Sequence, residues 1–284
     1  MTNKIKLFTD SAADVPLNYR EKYQIDVVPL SIIFGETEFI DQVTLSIAEF
    51  WDRLINSDEL PSTNQVNPHQ FAEAFKPYLD DGYTILYVGL SAALSGTFQS
   101  ANIAKQMLET ENIYTFDSKS ASLGETLLLI TAGEMIEKGH NIEEIMVALE
   151  EQRSTSFGNI TVDSLDHLVR GGRLSKAQAV VGGMLNIKPL IIVNPDGTIG
   201  AGEKIRSTKK ALQTIVAKAK NTAVDFSKRR VGVLYTHGTD PKEFVQLVKT
   251  ELQPLEILET LIGPVAGTHV GPSGSSPVLL KFWQ

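Results

Sequence analysis

Through the first half of the chain, short apolar runs alternate with helix-length segments, and that alternation restricts the fold more than any other feature. Ile5–Thr9 reads as a strand, Asp14-Val15-Pro16 opens a helix running to about Tyr23, and Val27–Phe34 is a second apolar run rich in Val and Ile. Ser46-Ile47-Ala48-Glu49 carries the capping-box pattern, in which Ser46 and Glu49 each satisfy a free donor at a helix start. Asn67-Pro68-His69-Gln70 marks another start, with proline at the first helical position. Tyr83–Gly89, Asn112–Phe116 and a helix from about Ser120 to Lys138 continue the series. Strands separated by helices return to the same end of a sheet, so the expectation is an α/β/α domain built on a mainly parallel sheet.

The second half changes character. Ile187–Val193, the turn Asn194-Pro195-Asp196-Gly197 and Thr198–Lys204 read as a β-hairpin. Ser207 is expected to cap an amphipathic helix reaching about Ala223. Val231–Thr236 reads as a strand, Pro241–Leu252 as a helix and Leu255–Leu258 as another strand. Hairpins mixed with helices suggest an α+β domain with a mixed or antiparallel sheet. The 284 residues suit two domains at roughly 150 residues each, and the change of pattern puts the boundary near 150–155, giving 1–152 and 153–284.

Charge follows the same division. Lys and Arg number 26 against 34 Asp and Glu, a net of −8 that argues against general nucleic-acid binding. Residues 1–150 carry 9 basic and 23 acidic side chains, and residues 151–284 carry 17 and 11. Between Arg170 and Arg230 there are 13 basic and 3 acidic residues, which suggests a docking face or solvated helix surfaces. With no cysteine, thiol catalysis, Cys-ligated zinc and iron–sulfur clusters are excluded. No segment approaches the ~20 apolar residues of a membrane span. Met1–Asp10 has too short an apolar run for a signal peptide, so a soluble cytoplasmic protein is expected.

Ligands of open α/β sheets bind where loops leave the carboxyl ends of strands. Three such exits are rich in hydroxyls: Thr9-Asp10-Ser11, Ser91 to Thr97, and Asp117-Ser118-Lys119-Ser120. Ser95-Gly96-Thr97 precedes a helix from Phe98 to about Leu108, whose free N–H groups and partial positive charge suit a carboxylate or phosphate. Gly96 would let an anion approach the backbone; alternatively, Ser95 simply caps the helix. Gly263–Pro272, dense in Gly and Pro, reads as a rigid loop presenting His269 beside Thr268. His69, His140, His167 and His237 lack such surroundings and share no metal-ligand spacing, so no metal site is expected. Arg170-Gly171-Gly172-Arg173, with Lys176 following, could clamp an anion or dock a protein. The phosphate-loop pattern GxxxxGK[ST] and the dinucleotide pattern GxGxxG are both missing.

Taken in order, TDSAADVP (Thr9–Pro16), LSGTFQSA (Leu94–Ala101), FDSKSASLG (Phe116–Gly124), LVRGGRLS (Leu168–Ser175) and IGPVAGTHVGP (Ile262–Pro272) resemble the DegV family over nearly the whole chain. The resemblance implies a two-domain α/β protein holding one long-chain fatty acid in a buried tunnel between its domains. It further implies a non-catalytic carrier subunit of a two-component fatty acid kinase, whose separate ATP-binding subunit phosphorylates the bound carboxyl group. No cofactor beyond the fatty acid is expected, and transient membrane contact for lipid exchange is compatible with such a carrier. The family's carboxylate contacts fall on Ser95, His269 and Thr63. Around Thr63 the family's TSQPS reads TNQVN, and Ser273 stands where the family commonly has glycine. Gly96, Thr97, Asp10, Ser11 and Thr268 complete the expected ligand site, and Arg170, Arg173, Lys176 and Arg206 the docking face.

The energetics agree. Burying a tail gains ~0.8 kcal/mol per methylene, roughly 10 for a dozen before ordering costs. The carboxylate then needs hydrogen bonds, and a protonated His269 would add a compensating charge. Two other readings remain. One is a serine hydrolase using Ser95, His269 and Asp10, although Gly89-Leu90-Ser91-Ala92-Ala93 fails the GxSxG pattern at its last position. The other is a module for a different anionic metabolite clamped by Arg170 and Arg173.

Overall fold

The structure is a computed structural model that describes residues 4–57, 59–155, 158–176, 187–222, 224–272 and 282–283. The first apolar run forms β1 (Ile5–Asp10), and a 3-10 turn at Ser11–Ala13 leads to α1 (Leu17–Lys22). The second run, expected in one piece, is two strands: β2 (Asp26–Val28) and β3 (Ser31–Phe34). Pro29 lies between them. It has no amide hydrogen to give a ladder, so the chain leaves one sheet there and enters another. β4 (Thr37–Ile40), α2 (Ile47–Asn56), β5 (Ser62–Asn64) and α3 (Pro68–Asp80) follow. Next come β6 (Thr84–Gly89), α4 (Thr97–Met107), β7 (Ile113–Asp117), α5 (Leu123–Glu137) and α6 (Ile142–Ser154). The expected capping box closes reciprocally at Ser46 with Glu49, and the helix start expected at Asn67 proves to be a second box, closed with Gln70.

The strand order β2-β1-β6-β7 is the expected parallel sheet. Ile85, Leu86, Tyr87 and Val88 are buried in succession, as parallel strands covered on both faces must be. Beside it stands an antiparallel sheet, β4-β3-β5, which the alternation alone does not reveal. Its register sets Thr63 opposite Ile32.

The second half contains β8 (Asn159–Thr161), α7 (Asp166–Arg170), β9 (Ile187–Val193), β10 (Ile199–Arg206) and α8 (Thr208–Lys220). β11 (Arg230–Tyr235), α9 (Lys242–Leu252), β12 (Glu256–Leu261), α10 (Pro264–Val270) and β13 (Phe282–Trp283) complete the chain. β10-β9-β8 is antiparallel around the expected hairpin. β12-β11-β13 is mixed, with β11 parallel to β12 and antiparallel to β13. Ser207 departs from expectation: it makes no side-chain cap bond and sits at φ 72°. Ala223, the expected end of that helix, and Ser273 lie outside the described residues. The expected boundary at 152/153 falls in the last turn of α6.

α5 joins the halves. Leu127, Leu128, Leu129 and Ile130 are all buried, so the middle of the helix is covered all round; it packs against β1 and β6 and also against β11. Gly232 on β11 allows the close approach, because a Cβ there would fall 2.3 Å from Leu123 Cδ2. One continuous hydrophobic core therefore runs from Leu7 and Phe8 through α5 to Val231 and Val233.

The segment expected as a rigid loop around His269 is instead the helix α10. Gly263 is its N-cap, Pro264 occupies the first turn, and Gly271 ends it at φ 77°. Gly267 lets the helix lie on α2, where a Cβ would stand 2.7 Å from Phe50 Cε1. Trp51 Nε1 donates to Ile262 O (3.0 Å), fixing the helix entry. The Gly and Pro residues punctuate and pack a helix.

Candidate functional site

The three hydroxyl-rich exits do meet at the carboxyl end of the parallel sheet. Tyr87 Oη (2.6 Å) and Leu90 N (2.9 Å) donate to Asp10 Oδ2, and Ala12 N donates to Asp10 Oδ1 (3.1 Å). Ser91 N donates to Ser120 O (2.8 Å) and Ser118 N to Gly89 O (3.1 Å). Asp10 thus knits loops together, and burial raises its pKa despite these bonds. Ser11 Oγ accepts from Leu30 N (3.1 Å). Asp10 and Ser11 border a small cavity of ≈ 310 Å³ and do not line the main one.

The main cavity has an empty volume of ≈ 980 Å³ including its mouth. Its walls are mostly apolar, among them Leu90, Leu94, Leu168, Ile199, Ile262 and Val265. Both halves of the chain contribute, the first through Ala12, Leu30 and the 120–124 segment, the second through β9, β10 and α10. Thr63, Ser95, Arg173 and His269 also line it. Three of these, Thr63, Arg173 and His269, are shared with an adjoining vestibule of ≈ 710 Å³ whose further walls include Leu60, His167, Arg170 and Thr268. An apolar chamber therefore meets a cationic antechamber at a cluster of polar side chains.

Thr63 reaches the cluster because β5 pairs with β3, and its Oγ1 is 3.0 Å from His269 Nε2. His269 Nδ1 is buried without a partner and abuts Gly171, where a Cβ would fall 2.3 Å away. Burial first, then the nearby charges of Arg173 and His167, lower the His269 pKa to about 4. The imidazole is therefore neutral near pH 7, unlike the protonated form expected from sequence. Arg173 is the cation that lines the cavity, its Nε donating to Leu94 O (3.0 Å) and its Nη1 to Gly171 O (2.6 Å). Burial lowers the Arg173 pKa, and a guanidinium still keeps its charge near neutral pH.

Ser95 Oγ accepts from Thr97 N (3.2 Å) and borders the cavity, while the N-cap position of α4 is held by Gly96. Thr97 is buried, with its Oγ1 3.0 Å from Ser95 Oγ. Gly96 makes room for something other than an anion, since a Cβ there would lie 2.1 Å from Gln65 Oε1. Thr268 Oγ1 donates within its helix to Pro264 O (2.9 Å). His167, assigned no role from sequence, donates from Nδ1 to Thr268 O (3.2 Å) and packs on Gly271, tying α7 to the end of α10. Lys176 and Arg206 are exposed and border neither cavity.

A serine-hydrolase triad is not assembled. Ser95 bonds Thr97, His269 bonds Thr63, and Asp10 is committed to Tyr87, Leu90 and Ala12. Among the described residues no acid bonds His269 Nδ1, the position that the orienting acid of such a triad occupies. Ser91 Oγ donates to Gly197 O (3.0 Å). Among the described residues no group of three acidic or histidine ligands is arranged for a metal, and no helix is long and apolar enough to cross a membrane.

Comparison with known proteins places this arrangement. The DegV family model matches residues 4–279. A DegV domain-containing protein of Caldanaerobacter subterraneus is 36% identical over 276 residues, covering 96% of this chain and 97% of that one. Among solved structures, a DegV family protein from Thermus thermophilus described for its fatty acid binding superposes with a TM-score of 0.90 at 29% identity, over 99% of both chains. DegV of Bacillus subtilis, a fatty acid binding protein, gives 0.84 at 31% identity, again over 99% of both.

Proposed function

The chain belongs to the DegV family, and on that premise we propose that it binds one long-chain fatty acid in the apolar cavity, with the carboxylate held by Ser95, Thr63 and His269. Arg173 joins them as the counter-charge. The observation that carries this reading is the placement of Thr63, Arg173 and His269 where the apolar chamber meets the vestibule. A tail lying among Leu90, Leu94 and Ile262 would leave its carboxylate at that junction, hydrogen-bonded and charge-compensated as burial requires. The functional division at 152/153 puts Thr63 and Ser95 on one part and Arg173 and His269 on the other, with the lipid between them.

The chain acts as a carrier. A carboxylate at the vestibule end is within reach of a separate ATP-dependent kinase subunit, to which we assign acyl-phosphate formation in the cytoplasm. Part of the basic stretch is paired within the molecule: Lys188 pairs with Asp163, Lys218 with Glu203, Lys220 with Glu251, and Arg230 with Glu134 and Glu256. Arg170, Lys176 and Arg206 are exposed and form no ion pair with a described residue, so they are the docking candidates. Arg173 moves from that group to the ligand site.

Titration of delipidated protein with a saturated long-chain fatty acid tests the reading. The expectation is uptake of one acid per chain, with Ser95→Ala and Thr63→Val each weakening it by ~1 kcal/mol, roughly fivefold. Absence of uptake would refute the ligand; variants that bind as tightly as the parent would refute the carboxylate contacts.

A further inference from the structure

Four carboxyl groups outside the ligand contacts are buried close together: Asp10, Asp14, Asp41 and Glu125. Buried carboxylates are costly unless hydrogen-bonded or paired with a cation, and here none of the four is within ion-pair distance of a cation among the described residues, while Glu125 Oε2 has no hydrogen-bond partner there.

Asp14 is the member that touches the cavity wall from behind. Its Oδ2 accepts from Ser122 Oγ, and Ser122 lines the acyl cavity. On its other side Oδ1 lies against Gly263, the N-cap of α10, so closely that a Cβ there would fall 2.2 Å from it. α10 in turn carries Val265, Ala266 and His269 into the cavity. Around this contact, Ser122 N donates to Ala12 O (2.7 Å), Thr126 Oγ1 to Ala13 O, and Thr260 Oγ1 to Asp14 O (3.4 Å). The backbone is strained at both partners: Asp14 sits at φ 53° and Ser122 at φ 54°, ψ −131°. Strain of this kind costs about 1–3 kcal/mol per residue and persists only while its surroundings hold it.

We propose that Asp14 is a positioning residue for the lipid site: in its neutral form it latches the Ser120–Gly124 wall to the start of α10, and loss of its proton loosens the latch and speeds lipid release. The proposal rests on the fatty-acid reading for its ligand but not for the latch itself. An ionised Asp14 would face Asp10 at the end of β1, Asp41 after β4 and Glu125 on α5. The β12–α10 junction offers only the Gly263 backbone and the Thr260 hydroxyl. Arg20 of α1 borders the adjoining small cavity as the cation on that side. Burial raises the Asp14 pKa to about 8 against the hydrogen bonds from Ser122 and Gly263, which favour the charged form, with Asp41 and Asp10 adding to the rise; burial raises Asp41 to about 7. Deprotonation thus adds like charge to a strained, water-poor joint.

The test is the dissociation rate of bound parinaric acid, a fluorescent polyene fatty acid, followed from about pH 6.5 to about pH 9.5. The wild-type rate should rise about tenfold with a midpoint near 8, tenfold being one pKa unit of coupling between latched and unlatched states. Asp14→Asn, which mimics the neutral acid, should flatten the rise. Asp41→Asn, which removes a neighbouring charge, should move the midpoint to lower pH. A parallel rise in wild type and Asp14→Asn, or an unmoved midpoint in Asp41→Asn, overturns the proposal. If the protein takes up no fatty acid, amide exchange of residues 120–126 and 263–270 reads the latch directly. Wild type should then exchange faster than Asp14→Asn above about pH 8, and equal rates overturn the latch. Should Asp14→Asn fail to fold, the Asp41→Asn midpoint decides.

Discussion

Replacing Arg173 by Met removes the cation that lines the apolar cavity while keeping an unbranched stem of similar bulk. The structure sets the size of the effect. With His269 neutral, a bound carboxylate would depend on Arg173 for its charge compensation. A charge-assisted hydrogen bond is worth ~1.5–3 kcal/mol, so affinity for a fatty acid should fall roughly 10- to 150-fold. The substitution also orphans the carbonyls of Leu94 and Gly171, a stability cost that would weaken any ligand. A second ligand separates these effects. The fatty alcohol of the same chain length carries no charge, so its affinity should change by less than about threefold. The assay is calorimetric titration of wild type and Arg173→Met with the acid and the alcohol, at the same pH and ionic strength. Equal losses for acid and alcohol would refute the reasoning, because Arg173 would then be packing the cavity and not holding a charge. Arg173→Lys, which keeps the charge but cannot make the same fork, should fall between the two.

Other consequences follow from the same contacts. Gly89→Ala should lower the melting temperature by several degrees, because its Cβ would fall 2.2 Å from the Oη of the buried Tyr87 ring; an unchanged value in a thermal scan would contradict the packing. Gly96→Ala should be much milder, since the atom in its way is the movable end of Gln65, and the same scan should place it within about 1 kcal/mol of the parent. Neutralisation of the buried acids gives a stability sign: with Asp14 raised to about 8 and Asp41 to about 7, the folded state holds protons the unfolded state has lost. Stability from these groups is thus full below about pH 4 and falls as pH rises to about 8, and chemical denaturation across that window should show Asp14→Asn losing less than wild type. Charge reversal of Arg170, Lys176 and Arg206 to Glu should slow acyl-phosphate formation with a kinase subunit while leaving fatty acid binding intact, read by paired kinetic and titration assays. Loss of lipid binding would place these residues at the pocket.

The parallel sheet was legible because burial on both faces writes itself as uninterrupted apolar runs, and the helix starts because capping boxes are local chemistry. Ser46 with Glu49 and Asn67 with Gln70 need no distant partner to form. The antiparallel β4-β3-β5 sheet was not, since β5 is three residues long and its pairing with β3 is a long-range event. α10 was missed because Gly263, Gly267 and Gly271 serve a cap, a close approach and a stop, three uses that composition cannot separate. Within the site, Ser95, Thr63 and His269 were reached through motif resemblance, and the structure brings all three to one cavity. Arg173 was left between an anion clamp and a docking face, because its bond to the Leu94 carbonyl joins segments far apart in sequence. Asp14 read only as part of a helix start: its environment is assembled from β1, α5, α10 and the segment after β4, and only a fold can place those together.

Native mass spectrometry of freshly purified protein, with identification of any released lipid, tests the central claim most directly. The account predicts a mass excess equal to one long-chain fatty acid per chain, displaced by added free acid and diminished in Arg173→Met. Protein that carries no such excess, and gains none on incubation with fatty acid, would contradict it.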